Sequence, residues 1–226
     1  MPRYLILRLD GPMQAWGSHT FEDFRPSNSF PTRSGLLGLL GACLGIDRGD
    51  HAGLEQLEQS VEFTVRADRA VRRLDVEQHI SKTAVKIPDY HTVLDARKVD
   101  GSSNKNAVES RREYLFDAAF TVAIGEKQNA RVALPAVADA LLRPCFTPVL
   151  GRRSCPITRP LLDGPLVEAI DAKAALVSVL PVGGLIYAEG DLISTQPLRI
   201  RDIPMYGRHR QFGTRQVFLH KEEPCS

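Results

Sequence analysis

Cysteine, histidine and tryptophan are scarce in this chain, and no catalytic signature brings them together. The four cysteines, Cys43, Cys145, Cys155 and Cys225, have none of the paired spacings that hold a metal. They read as buried free thiols in a reducing compartment. There is no glycine loop ending in Lys-Ser/Thr, no GxSxG elbow, no HExxH pair and no dinucleotide fingerprint. Walker-type phosphate binding, serine hydrolysis and zinc peptidase chemistry are therefore not expected, and neither a cofactor nor a metal is implied. The first residues lack the basic-then-apolar pattern of an export signal, and no apolar run approaches the ~20 residues a membrane helix needs. The expected location is the cytoplasm, with no membrane partner.

What the chain does contain is enough residues, 226, to bury a sizeable core, and a net charge of +2 that hides an uneven distribution. Arginine clusters late, at Arg152, Arg153 and Arg159 and then at Arg199, Arg201, Arg208, Arg210 and Arg215. Local basic surfaces matter more here than the total. Residues 4–9 form a short apolar run that stops at Asp10-Gly-Pro, as a buried first strand does. Residues 61–66 alternate with period two, and residues 114–124 return to strand character. Pro135 opens a helix over 136–142, and a short strand is expected near 146–150. The order strand, helix, strand, insertion, strand, helix, strand predicts an α+β fold with a split βαβ, ferredoxin-like core over residues 1–155. Residues 156–226 are expected to form a smaller C-terminal extension, with a helix over 167–176 and strands at 198–200 and 216–219.

Between the first two strands runs Phe30-Pro-Thr-Arg-Ser-Gly-Leu-Leu-Gly-Leu-Leu-Gly-Ala-Cys-Leu-Gly. Leucines at helical spacing and Thr32 or Ser34 as a cap predict a helix. Its glycines, Gly35, Gly38, Gly41 and Gly45, are three or four apart and share a face. Each interior glycine costs about 1 kcal/mol against alanine, so something must approach that bare backbone closely. We assign the glycines chiefly to packing on the sheet, and phosphate contacts to the residues that open the helix.

From residue 70 to 112 the apolar pattern weakens while Lys82, Lys86, Arg97, Lys98, Lys105, Arg111 and Arg112 accumulate among Gly, Ser and Asn. An insertion of this length is expected to protrude as a basic arm. Three other segments carry groups suited to single-stranded RNA, although the aromatic signature of an RNA-recognition sheet is missing. Gly11-Pro-Met-Gln-Ala-Trp-Gly offers Met13, Gln14 and Trp16 at a loop, with a core anchor as the plainer role for Trp16. Phe146-Thr-Pro-Val-Leu-Gly-Arg-Arg-Ser-Cys-Pro places an aromatic, a glycine turn and two arginine forks within eleven positions. Ser110-Arg-Arg-Glu-Tyr closes the arm, with Arg112 at its base. Catalysis has thinner support, resting on Asp89-Tyr-His91 and on His19 as a histidine base for metal-independent RNA cleavage.

Taken together, the strand of residues 4–9 with its Gly-Pro-Met-Gln-Ala-Trp-Gly loop, the glycine helix, Asp89-Tyr-His-Thr-Val-Leu, Arg112-Glu-Tyr-Leu and Leu150-Gly-Arg-Arg-Ser-Cys-Pro resemble the CasD family of type I-E CRISPR Cascade subunits, in the RAMP superfamily. A weaker echo lies at Pro181-Val-Gly-Gly-Leu-Ile-Tyr. The resemblance implies an RRM-type palm and a non-catalytic, RNA-binding role in antiviral defence. Such a subunit grips the 5′ handle of the CRISPR RNA, caps the backbone filament, contacts the large subunit, and inserts a thumb at the duplex between guide and target DNA. By resemblance the handle surface maps onto Met13, Gln14, Trp16, Arg33, Ser34, Arg112, Phe146, Gly151, Arg152 and Arg153. The thumb maps onto residues 78–112, with Lys82, Lys86, Tyr90, His91, Arg97, Lys98 and Lys105. Val149 stands where the family places an aromatic. The alternative, an endoribonuclease that processes repeat RNA, follows a related CRISPR subtype.

Overall fold

A computed structural model of the chain describes every residue except 19, 21–22, 69, 75–77, 83, 99, 182, 191–196, 208–210 and 223–226. At 70–74, 78–82 and 221–222 only the backbone is described. The chain opens with β1 (Arg3–Asp10), then the short strands β2 (Met13–Gln14), β3 (Trp16–Gly17), β4 (Phe24–Arg25) and β5 (Ser27–Asn28). Helices α1 (Arg33–Leu44) and α2 (His51–Ser60) lead to β6 (Val61–Asp68). Two hairpins follow, β7 (Ala70–Leu74) with β8 (Gln78–Lys82), and β9 (Val85–Val93) with β10 (Val108–Phe116). Then come β11 (Ala119–Glu126), α3 (Leu134–Leu142), β12 (Val167–Glu168), α4 (Ala172–Val177), β13 (Gly184–Ala188), β14 (Pro197–Met205) and β15 (Gln211–Glu222).

Seven of these strands make one antiparallel sheet in the order β12-β1-β11-β6-β13-β15-β14. Leu7 sits opposite Val122 and Val122 opposite Val65, so one face of the three central strands is continuously apolar. That face buries against Leu36, Leu37, Leu39 and Leu40 of α1 and Val137 and Leu141 of α3. On the other face Tyr4, Ile6, Ala123 and Ile186 pack against Ala175 and Leu176 of α4. Helices on both faces explain why β1 is apolar at consecutive positions rather than alternating.

Beyond α4 the second face is closed by charge. Fully buried Arg66 pairs with Asp68 at 2.7 Å and donates to the Leu176 carbonyl, while Arg8 pairs with Asp163 at 2.8 Å and donates to Thr121. Burial pushes the Asp68 carboxyl up, against the hydrogen bonds from Arg66 and Thr121 that pull it down. Each buried charge thus has an opposite partner, as desolvated ions require. Base stacking on this sheet face is not available, because protein already covers it.

Four local expectations change. The single strand over 114–124 is two, broken at Asp117, whose φ of 54° turns the chain from the hairpin sheet into the main sheet. Residues 146–150 form a loop, and the place beside β1 is taken instead by Val167–Glu168. The helix expected over 167–176 is therefore a two-residue strand followed by α4. The segment after residue 156 is no separate appendage among the described residues, since β13 pairs directly with β6 and brings β15 and β14 into the main sheet. Among the described residues no helix is long and apolar enough to cross a membrane.

Candidate nucleic-acid interface

Gln14 and Trp16, expected to face RNA, are fully buried. Gln14 Nε2 donates to the carbonyls of Leu9 (3.0 Å) and Ala118 (2.7 Å), and Trp16 Nε1 donates to Gln14 Oε1 (3.0 Å). The indole lies against α1 at Gly35, where a Cβ would come within 2.8 Å of its ring. The correction has a simple cause: a lone indole beside apolar strands gains more by burial than by display. Met13, in contrast, is only partly buried, where β2 pairs with the hairpin strand β10.

Arg33 is corrected in the same way. Its side chain is 3% exposed and its guanidinium holds Glu189 at 2.7 Å and the carbonyls of Glu58 and Val61, above the Phe63 ring. Its backbone N–H donates to the Asp202 carboxylate at 2.7 Å, and Arg215 pairs with the same carboxylate. Burial works against the Arg215 charge, but the hydrogen bonds it donates to Asp202 and the charges of Glu189 and Asp202 outweigh it and hold its pKa above the ordinary value. The start of α1, expected to attract a phosphate, already holds a carboxylate of the chain itself.

The glycine face has a different fate from the one expected. Thr32 caps the helix through Gly35 N–H, Gly45 ends it in the left-handed region, and the leucines pack on the sheet. Gly38 is exposed, and a Cβ there would meet nothing within 4 Å. It lines a cavity of about 640 Å³ whose walls include Ser18, Ser34, Gly35, Thr147, Arg152 and Arg201. Ser34 therefore lines this cavity, while Arg33 does not.

The turn after residue 150 forms the rim. Gly151 has φ 91°, and a Cβ there would fall 1.8 Å from the Ala15 carbonyl oxygen, so the turn is pinned to the loop after β1. Arg152 lies over the Tyr114 ring and donates to the carbonyls of Glu113 and Arg25, whereas Arg153 is exposed and makes no ion pair within the described residues. Phe146, half exposed, lines a second cavity of about 710 Å³ with Met205, Tyr206 and Phe212. Burial, helped by the charge of Glu58, pushes the Tyr206 phenol up to about 12, so it stays neutral. Val149 lines the first cavity and gives it no aromatic surface. The wall residues Arg201, Gln211 and Phe212 were missed by motif; the late arginine clustering was their only trace in the sequence.

The basic arm is built of paired strands. β9 and β10 form a nine-pair antiparallel ribbon, and Lys82 belongs to the separate β7–β8 hairpin. Arg97, Lys98 and Lys105 are exposed near its tip, and Tyr90 is exposed on β9. Lys86 is tied down, donating to the Ser27 carbonyl. Arg112 donates to Ser110 on the ribbon face that also carries His91, which lies 2.6 Å from the Asp89 carboxylate and near the Tyr114 hydroxyl. His19 lies outside the described residues. Cys145 is exposed, unlike Cys43, whose thiol burial pushes up to about 11, and Cys155, raised by burial too; Cys225 also lies outside the described residues. Among the described residues no three metal-ligating side chains converge.

Comparison with known proteins agrees with the resemblance in the sequence. A family model described as CRISPR-associated protein (Cas5) matches residues 4–218. The chain is 48% identical over 224 residues to the CRISPR system Cascade subunit CasD of Escherichia coli (strain K12), covering 98% of this chain and 97% of that one. A chain of a solved CRISPR RNA-guided surveillance complex superposes with a TM-score of 0.74 at 27% identity, over 97% of this chain and 90% of the other. A crystal structure of a Cas protein superposes with a TM-score of 0.64 at 28% identity, over 97% and 94% of the two chains. With the family model spanning nearly the whole chain, and a relative of this identity matching end to end, the chain belongs to the CRISPR-associated Cas5 family.

Proposed function

We propose that this chain is a non-catalytic, RNA-binding subunit of a type I-E Cascade complex that grips the 5′ handle of the CRISPR RNA. In that role it caps the backbone filament, contacts the large subunit, and sets a thumb against the duplex of guide and target DNA. The observation that carries the RNA reading is the groove along α1, where bare helix backbone faces a wall holding Arg152 and Arg201, with Arg153 exposed beside it. Guanidinium forks suit phosphate oxygens, and an absent side chain lets a nucleic-acid backbone approach. Met13, Ser34, Arg112, Phe146, Gly151, Arg152 and Arg153 make up the handle surface; Gln14, Trp16 and Arg33 shape it from beneath.

A ferredoxin-like palm is supported by the sheet order β12-β1-β11-β6, which is the 4-1-3-2 order of a split βαβ core. The ribbon of β9 and β10, with its cationic tip, is the thumb. The 48% identity with a Cascade subunit supports the assembly.

The test is RNA affinity as a function of salt. Each phosphate contact adds about one to the slope of log affinity against log salt. Arg153→Ala is expected to weaken binding of handle RNA and to flatten the slope by about one; unchanged affinity and slope would remove the arginine turn from the site. A second reading has one observation behind it, the Asp89–His91 pair, which orients an imidazole as a general base requires. Repeat RNA incubated with the protein without metal is expected to stay intact, and site-specific cleavage lost in His91→Ala would establish an endoribonuclease instead.

A further inference from the structure

The chain passes from the ribbon into the main sheet at Asp117 and Ala118, where Asp117 has φ 54° and Ala118 is buried. Gln14 sits at that joint. Its backbone pairs with Leu115 of the ribbon strand β10, while its fully buried side chain donates to the Ala118 carbonyl at 2.7 Å and to the Leu9 carbonyl of β1 at 3.0 Å. Its Oε1 accepts from Trp16 Nε1 at 3.0 Å. Both faces of the amide are thus engaged, and the reverse orientation would set its oxygen against two carbonyls and its amino group against an indole N–H. A satisfied buried amide fixes the geometry around it, because any shift strands a polar group. Trp16 holds the amide in turn, since its ring lies over Gly35, where a Cβ would come within 2.8 Å of it. Other ties at the ribbon base run to loops: the Arg111 N–H donates to the Asp23 carbonyl, Lys86 to the Ser27 carbonyl, and Arg152 to the Glu113 carbonyl. Gln14 also grips a strand of the main sheet.

We propose that Gln14 is a positioning residue that sets the direction in which the β9–β10 ribbon leaves the main sheet, with Trp16 fixing the amide in place. This rests on the function proposed above only for what the ribbon then reaches. The nine residues of β9, at about 3.3 Å each, carry the ribbon about 30 Å from the joint. A tilt of about 10° at the joint therefore moves the tip by about 5 Å. An apolar side chain of the same length at position 14 would fill the space yet leave the Leu9 and Ala118 carbonyls and the indole N–H without these partners. The joint then has no single arrangement to prefer, because each unpaired group gains by turning elsewhere.

The experiment reads the distance between two spin labels on the full chain without RNA. Ser102→Cys places one at the ribbon tip and Leu142→Cys the other on α3, both at exposed positions, with Cys145→Ser and Cys225→Ser removing other thiols. Gln14→Met is expected to shift or broaden the distance distribution by about 5 Å. Trp16→Phe, which keeps a ring over Gly35 and loses the N–H, should change it in the same way and carries the test if Gln14→Met does not fold. Asp202→Ala breaks a buried contact outside this joint, so it should lower the unfolding midpoint and leave the distances as in wild type. Wild-type distances in Gln14→Met, or in Trp16→Phe where that variant carries the test, overturn the proposal. An equal change in Asp202→Ala overturns it too, since the effect is then general loosening. The RNA reading is judged apart, by the salt slope of Arg153→Ala: its failure leaves the distances as they are, and wild-type distances leave the RNA reading standing.

Discussion

At the scale of single residues the site is held by contacts that leave no room for variation. Gly151 combines φ 91° with a Cβ position 1.8 Å from the Ala15 carbonyl oxygen, and Ala15 N–H in turn donates to the Leu150 carbonyl at 3.0 Å. Gly151→Ala must both adopt a left-handed backbone and push two loops apart. We expect a loss of stability of about 2 kcal/mol or more, seen as a lowered urea midpoint, and a melting curve like wild type would show that the turn relaxes freely. The same loop contains Trp16, whose indole occupies the space over Gly35. An indole and a glycine thus make one close contact between the loop after β1 and the glycine helix.

At the scale of elements the glycine helix serves two surfaces. Its leucines bury against the sheet, while Gly38 faces the groove along the helix with open space beyond it. Gly38→Ala therefore separates folding from binding. It should raise stability by up to about 1 kcal/mol through helix propensity, while weakening handle RNA because a methyl group enters the groove. Thermal unfolding and RNA titration of the same variant measure both, and a gain of stability with undiminished affinity would detach the glycine face from the ligand. The β9–β10 ribbon is an element of a different kind. Most of β9 is exposed, with Val85, Ile87, Tyr90 and Val93 on the surface, while Tyr114 and Leu115 at the end of β10 are buried in the main core and anchor the nine-pair ribbon there.

At the scale of the whole molecule the C-terminal strands and the N-terminal helix hold each other. Asp202, 1% exposed, accepts the Arg33 backbone N–H and pairs with Arg215, while Glu189 binds the Arg33 and Arg215 guanidinium groups. Asp202→Ala leaves the Arg33 N–H at the start of α1 and a largely buried arginine each without one of their partners. Breaking a buried pair from one side costs about 3 kcal/mol or more, so we expect a large drop in the midpoint of unfolding. A small one would mean that water replaces the carboxylate. Arg201, beside Asp202 on β14, and Gln211 and Phe212, on the strand that carries Arg215, line the cavity along α1.

Much of this was written in the sequence. The apolar run of β1, the alternation of β6, a hydroxyl cap at Thr32 or Ser34, Pro135 in the first turn of α3 and the family resemblance follow from local pattern, because period and capping act within a few residues. The direction in which a side chain points was not legible. Arg33 and Arg153 look alike in sequence, yet one is buried among carboxylates from positions 58, 189 and 202 and the other is open to solvent. That difference depends on which distant strand arrives beside α1, and no local signal encodes it. The chain's own residues determined that a glycine helix would form. Only the tertiary structure decided that its leucines pack on the sheet, that Trp16 covers Gly35, and that Gly38 opens onto a cavity.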